Sequence, residues 1–200
     1  NQSLCGGYEE YAYLYPNDPI KTLLVESTSF DKEPISFKEK LSGFLNSIKE
    51  TWSAGGNPLF PTLSFHRAQE LMEIIHNCQR SGDIPKDCEI VIDAPLAIKV
   101  LDVFSNLDPN NLTNRYGDDP NYYKTIKSSL DRFNLENKII IEDHLESINA
   151  DRFYAKYPKK AIIIASGGMG DYGRSVNYLR GNFAKNPKNS IIFFCYQVEG

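Results

Sequence analysis

Lys160 to Gly200, KAIIIASGGMGDYGRSVNYLRGNFAKNPKNSIIFFCYQVEG, decides how the chain reads. Ala161 to Ala165 is a short β-branched apolar run, too short to span a membrane and suited to a strand buried on both faces. It stops at Ser166-Gly167-Gly168-Met169-Gly170, and four glycines fall within seven residues (Gly167, Gly168, Gly170, Gly173). Glycine admits positive φ and brings no side chain to hold a ligand off the backbone. Val176, Leu179 and Phe183 then recur at helical spacing, and Ile191 to Tyr196 is a second apolar run. The pattern predicts strand, glycine turn, helix, strand. A helix beginning there would aim backbone N–H groups at an anion over the turn, with Arg174 adding a forked donor. The plainer alternative is a turn that simply needs glycine.

Upstream, the alternation continues. Leu23-Leu24-Val25 reads as a buried strand that stops at Glu26-Ser27-Thr28. An acid just past such a strand is placed for chemistry or for capping, and the residues alone leave both open. Phe37, Leu41, Phe44, Leu45, Ile48 and Trp52 trace one helical face, closed by Gly55-Gly56-Asn57. Leu59 to Phe65 is strand-like, although Pro61 hints at an edge position or a strand that breaks early. Ala68, Leu71, Met72, Ile75 and Cys78 mark another helix, with Arg67 in its first turn, where a cation opposes the helix dipole and suits an anion site. A solvated surface arginine is the alternative. Glu89 to Asp93 is a further strand, and Asp93-Ala94-Pro95 reads as a helix start with Asp93 as N-cap rather than catalytic acid. Residues 105 to 123 form a long polar excursion, and Lys138 to Ile141 a fourth strand before a helix running through Phe153. Strands alternating with helices predict an α/β fold: a mostly parallel sheet with helices on both faces.

Composition narrows the function. Two hundred residues with 41% hydrophobic content suffice for a sizeable core. The net charge of −4 gives no general attraction for polyanions, so nucleic-acid contact requires a local basic cluster. Nothing reads as a membrane span or a signal peptide. Cys5, Cys78, Cys88 and Cys195 lack C-x-x-C spacing and suit buried thiols in a reducing, cytoplasmic setting. His66, His76 and His144 lack HxH or HExxH spacing, so no metal site built from this chain alone is expected. Gly168 to Gly173 does match G-x-G-x-x-G. The acid that should follow the next strand arrives late, at Glu199, so dinucleotide binding is a minor alternative.

Several separated segments together resemble the β-CASP domain of metallo-β-lactamase-fold ribonucleases. The likeness is to the branch that includes the pre-mRNA 3′-end cleavage endonuclease and its bacterial and archaeal relatives. Leu24 to Thr28 looks like that branch's ESTYG segment. Gly55-Gly56 through Pro61, then Arg67-Ala68-Gln69-Glu70-Leu71, resembles its GG…P…GRAQEL stretch, and Ile92 to Ala97 its DSPLA motif. Ser166 to Met169 with Gly173-Arg174, then Tyr196 to Gly200, resembles SxGM…GGR and GYQxEG.

The resemblance implies a Rossmann-like β-CASP domain over residues 21–200, with residues 1–20 belonging to an adjoining metallo-β-lactamase fold. It implies a substrate-binding lid over a two-zinc centre that hydrolyses RNA phosphodiesters. The zinc ligands, and the histidine that pairs with Glu26, would lie outside residues 1–200, so the fragment is expected to be inactive alone. Glu26 is then the catalytic residue, Arg67, Ser166, Gly168 and Arg174 contact phosphate, and Tyr172 can stack on a base. The expected partners are RNA, with single-stranded DNA as the alternative, and the metallo-β-lactamase domain of the same chain. A homodimer is compatible, a membrane is not. Ser29-Phe30 in place of Tyr-Gly, His66 in place of Gly and Tyr172 within GGR depart from the pattern. They keep a degenerate, non-catalytic RNA-binding or scaffold paralogue as the rival reading.

Overall fold

The computed structural model describes residues 35–106, 133–193 and 197. The segment 1–20, the strand expected at Leu23 to Val25, Glu26, and most of the polar excursion lie outside them. Ten elements follow in order: α1 (Phe37–Ser53), β1 (Pro58–Thr62), α2 (Arg67–Ser81), β2 (Glu89–Asp93), α3 (Pro95–Ser105), β3 (Lys138–Ile140), α4 (His144–Tyr154), β4 (Ala161–Ser166), α5 (Ser175–Arg180) and β5 (Ser190–Ile191).

The strands form one sheet, β3-β2-β4-β1-β5, and every pairing is parallel. Parallel pairing requires a crossover between neighbours, and the sequence supplies a helix for each. Alternate side chains then divide the interior. Phe60, Ile90, Ile92, Ile162 and Ile164 pack with the apolar faces of α1, α2 and α3. Leu59, Val91, Ala161, Ile163 and Ala165 pack with Ala150 and Tyr154 of α4, Tyr178 of α5, and Phe183. The central strand β4 is buried from Ala161 to Ala165, as its unbroken apolar run requires. Phe37, assigned above to the apolar face of α1, is instead exposed.

Pro61 does not mark an edge, because β1 lies between β4 and β5. The other reading holds: the strand breaks early, ending at Thr62 rather than Phe65. The Leu59 carbonyl accepts from the Ile192 amide, so Leu59 and Pro61, two residues on, both face β5. Since β5 ends at Ile191, opposite Leu59, the donor that proline lacks has no strand to meet.

At the N-terminal ends of the strands, the buried Asn57 replaces ladder bonds with side-chain ones. Its Oδ1 accepts from the Ala161 amide at 2.8 Å and its Nδ2 donates to the Tyr157 carbonyl at 3.1 Å. The preceding Gly56 is pressed against the chain: a Cβ there would lie 1.8 Å from the Lys188 carbonyl oxygen. Burial pushes the Cys78 thiol up to about 11 and the Cys88 thiol up to about 12, with Asp83 and Asp87 adding to it, so both are inert free thiols.

The helix expected to run from Val176 through Phe183 is only six residues long. Its end is set by Asp151 of α4. That buried carboxylate accepts from the Asn182 amide (2.9 Å), the Asn182 side chain (2.9 Å) and the Phe183 amide (2.8 Å). These donors leave the helical path to reach it. Asp151→Ala would leave the buried Phe183 amide without an acceptor, at about 1–3 kcal/mol, while the exposed Asn182 can turn to water. Urea unfolding should show a loss of about 1–3 kcal/mol, with hydrogen exchange at Phe183 accelerating first. A loss below 1 kcal/mol would mean that the turn is held by other contacts.

Candidate functional site

In an open parallel sheet, a crevice forms at the C-terminal edge where neighbouring strands send their connections in opposite directions. Here β2 exits toward β3 and β4 exits toward β5, so the crevice lies between the ends of β2 and β4. Asp93 ends the first and Ser166 the second.

Asp93 is completely buried and does not cap α3. Its side chain crosses to the other face, where Oδ2 accepts from the Ser147 hydroxyl of α4 and from the Tyr178 hydroxyl of α5 at 3.0 Å. The N-cap expectation fails because the strand carries Asp93 on the same face as Val91, toward α4 and α5 and away from the helix that follows it. Oδ1 makes no hydrogen bond, and its nearest cation is Arg174, with Nε 3.7 Å away. Burial pushes the Asp93 carboxyl above the ordinary range, outweighing the Ser147 and Tyr178 hydroxyls and the charges of Arg174 and His144.

Arg174 is largely enclosed. Nη1 donates to the Asp143 carbonyl at 2.8 Å, at the start of α4, so one guanidinium links the glycine loop, the end of β2 and α4. Asn177 completes the cluster by donating to Ser147 Oγ at 2.8 Å.

The glycine loop turns on itself. Gly167, Gly170 and Gly173 all have positive φ. A Cβ on Gly167 would lie 1.9 Å from the Tyr172 carbonyl oxygen, and one on Gly173 2.6 Å from that of Ser166. Ser175 Oγ donates to the Gly167 carbonyl at 2.8 Å, and Ser166 Oγ accepts from the Arg174 amide at 3.3 Å. Glycine is needed here so that the loop can fold against its own carbonyls. These close approaches account for Gly167 and Gly173 as the plainer alternative does, by a turn that needs glycine, and α5 after it is only six residues long. Gln197 fastens a later segment to the loop by donating to the buried Gly168's carbonyl at 2.9 Å.

Arg67 sits on the same edge, one strand away. Thr62 is in register with Ser166, and the Gly167 amide donates to the Thr62 carbonyl at 3.0 Å. Arg67 is about half exposed and pairs with Glu70 at 2.6 Å. Gln69 holds this turn to α3 through the Ser64 and Ala97 carbonyls. His66 has φ 66° and ψ −58°, and the Arg67 amide bonds back to the Phe65 carbonyl at 2.8 Å. That is a γ-turn of the rare, strained hand. Around the edge, Leu63, Phe65, Leu96, Leu145, Met169 and Tyr172 are exposed. Large apolar side chains collected on one edge mark a face that meets something.

Four of the six site residues predicted from sequence thus share one edge with their neighbours: Arg67, Ser166, Gly168 and Arg174. Tyr172 stands exposed beside them and Glu26 is outside the described residues. The grouping of Asp93 with Ser147, Asn177 and Tyr178 has no signal in the sequence. Among the described residues no three His, Cys, Asp or Glu side chains converge to hold a metal ion. Those residues do not by themselves make a zinc site.

The Beta-Casp domain model matches residues 68–200. The chain belongs to the Beta-Casp family. This Beta-Casp chain is 26% identical over 180 residues to Ribonuclease TTHA0252 of Thermus thermophilus, covering 89% of itself and 38% of that protein. It is 29% identical over 186 residues to an RNase J-like protein of Methanocaldococcus jannaschii (92% and 39%). It is 31% identical over 183 residues to the transcription termination factor FttA of Pyrococcus abyssi (90% and 26%). The domain therefore spans between about a quarter and two-fifths of the length of these curated relatives.

Two outcomes follow for the site. His66→Gly should relieve backbone strain worth about 1–3 kcal/mol, less about 0.5–1 kcal/mol for glycine's entropy in the unfolded chain. The urea midpoint should therefore rise, and a fall would show that the imidazole holds the turn. For Asp93, a raised folded-state pKa means that its contribution to stability is fully present below the ordinary carboxylate value. That contribution is lost as pH rises through the raised value. Asp93→Asn should abolish this decline, so its stability relative to the parent should improve across that window. Parallel pH profiles would refute the raised pKa.

Proposed function

We propose that this Beta-Casp domain forms the RNA-facing wall of a zinc-dependent ribonuclease whose metal centre is carried by a metallo-β-lactamase domain elsewhere in the same protein. Zinc in that domain would supply Lewis-acid activation of water and neutralise charge on the phosphate. The observation that supports this reading is the sharing of one edge by the Arg67 turn, the Ser166 to Arg174 loop and the apolar rim. The names of the relatives, two of them ribonucleases, point the same way.

In this reading Arg67 and the Ser166–Gly168 turn contact the phosphate backbone. Arg174, held by Asp93 and the Asp143 carbonyl, offers what remains of its fork to the same backbone, and the exposed Tyr172 stacks on a base. Arg67 must leave Glu70 to take part. An exposed pair of this kind is worth no more than about 1 kcal/mol, so a phosphate can displace it. Glu26 is the catalytic acid partner that the family resemblance implies.

The rival is a non-cutting RNA-binding scaffold, favoured by the strained His66 where the family has glycine. Cleavage of a labelled RNA by the full-length protein, with zinc content measured on the same sample, separates the two. The ribonuclease reading expects cleavage that a chelator abolishes. Glu26→Gln should eliminate it while leaving RNA affinity unchanged. Arg174→Ala should lower kcat/KM about tenfold to a hundredfold, the worth of a charge-assisted hydrogen bond, with Arg174→Lys between. Zinc-loaded protein that binds RNA without cutting it would establish the scaffold.

A further inference from the structure

The opposite edge of the sheet carries a different chemistry. A cavity of about 670 Å³ opens where the chain approaches β1, β4 and β5. Arg152, Lys156, Lys185 and Lys188 line it together with Gly55 and Tyr157, and no carboxylate residue does. The two segments that supply the cations, 152–160 and 180–190, contain seven Lys and Arg and no Asp or Glu, within a chain whose net charge is −4. This is the local basic cluster that nucleic-acid binding by an acidic chain requires.

The cations are not used up within the fold. Arg152 and Lys156 stand at the end of α4, where basic residues ordinarily answer the helix dipole. That requirement is already met by amides: the Ala155 carbonyl accepts from Asn186 Nδ2 at 2.7 Å and from Asn189 Nδ2 at 3.3 Å, and the Tyr157 carbonyl accepts from Asn57. Lys185 and Lys188 come from a different segment, so helix capping does not account for them. The Lys188 side chain extends over Gly55, with Nζ 3.9 Å from where a Cβ would be. None of the four cations forms an ion pair with a described residue.

Beside the cations is an aromatic platform. Phe153, 57% exposed on α4, packs against Tyr157 with ring centroids 5.0 Å apart. Tyr157 is fixed by its hydroxyl bond to Glu89, which, with burial, pushes its phenol up to about 12. Cations interleaved with rigid aromatic faces bind single-stranded nucleic acid, the cations following phosphates and the rings stacking on bases. A small polyphosphate would make no use of the exposed ring, whereas the bases of a single strand would.

We propose that this cavity is a second RNA site, holding a single-stranded segment of RNA on the edge of the sheet remote from the Ser166 loop. The choice of RNA over single-stranded DNA rests on the function proposed above. The strand-binding chemistry does not.

Fluorescence anisotropy of a labelled oligouridine with full-length protein tests it, with EDTA present so that cleavage does not intervene. Lys156→Ala/Lys185→Ala/Lys188→Ala should weaken binding at least tenfold at low salt. The slope of log affinity against log salt should fall by about 2, at about 0.7 per phosphate contact. Phe153→Ala should weaken binding several-fold with little change in slope. The charge-matched variant Lys38→Ala/Lys40→Ala/Lys99→Ala, on other faces, should do neither. Equal losses in both triple variants, or none in the first, would overturn the site. A lysine effect with Phe153→Ala silent and tripolyphosphate competing as well as RNA would identify a small anion as occupant and overturn the RNA assignment. If the full-length protein binds RNA through these lysines but never cuts it, the ribonuclease reading fails while this one stands.

Discussion

A carboxylate with no access to solvent must find compensation inside the protein, and Asp93 finds it from three directions. Ser147 comes from α4, Tyr178 from α5, and Arg174 from the loop that joins β4 to α5. Each partner is therefore held where the others need it. The buried Oδ1, which makes no hydrogen bond and has only the Arg174 charge near it, makes the arrangement costly, and such costs collect where a protein keeps its function. The glycine loop depends on the same anchorage, since Arg174 is both its last residue and the cluster's cation.

An all-parallel sheet has two unlike ends, and this domain uses each differently. At the C-terminal end the chain leaves strands of opposite onward direction, opening a crevice surrounded by exposed apolar side chains. Its cations are engaged, Arg67 by Glu70 and Arg174 by Asp93. At the N-terminal end, Asn57 and the Asn186 to Asn189 turn satisfy the backbone with amides, which leaves lysines and an arginine facing outward uncommitted.

How much of this the sequence discloses depends on distance along the chain. Ala161 to Ala165 and Glu89 to Asp93 could be read as buried strands because the relevant pattern is contained in five residues. The co-location of Arg67 with Ser166 followed from the rule that parallel strands end on one side, with no contact needing to be known. Asp93 reads as a cap from sequence because its partners are 54 and 85 residues away, and nothing adjacent distinguishes a cap from a buried hub. The length of α5 is hidden for the same reason: Asp151, which ends it, lies 31 and 32 residues before the amides that it captures. The basic cavity joins two segments that are each visibly rich in lysine, but only the fold shows that they are neighbours.

Gly56 carries a consequence of a different order. With the Lys188 carbonyl oxygen 1.8 Å from the vacant Cβ position, the approach to β5 is gauged by a missing methyl group. Any larger residue at 56 would lift the chain at Lys188, shift the two-residue strand that follows and tilt the lysine away from its neighbours. Tolerance to substitution at this one position is thus an indirect ruler for two things at once, the closure of the sheet and the charge geometry of its underside.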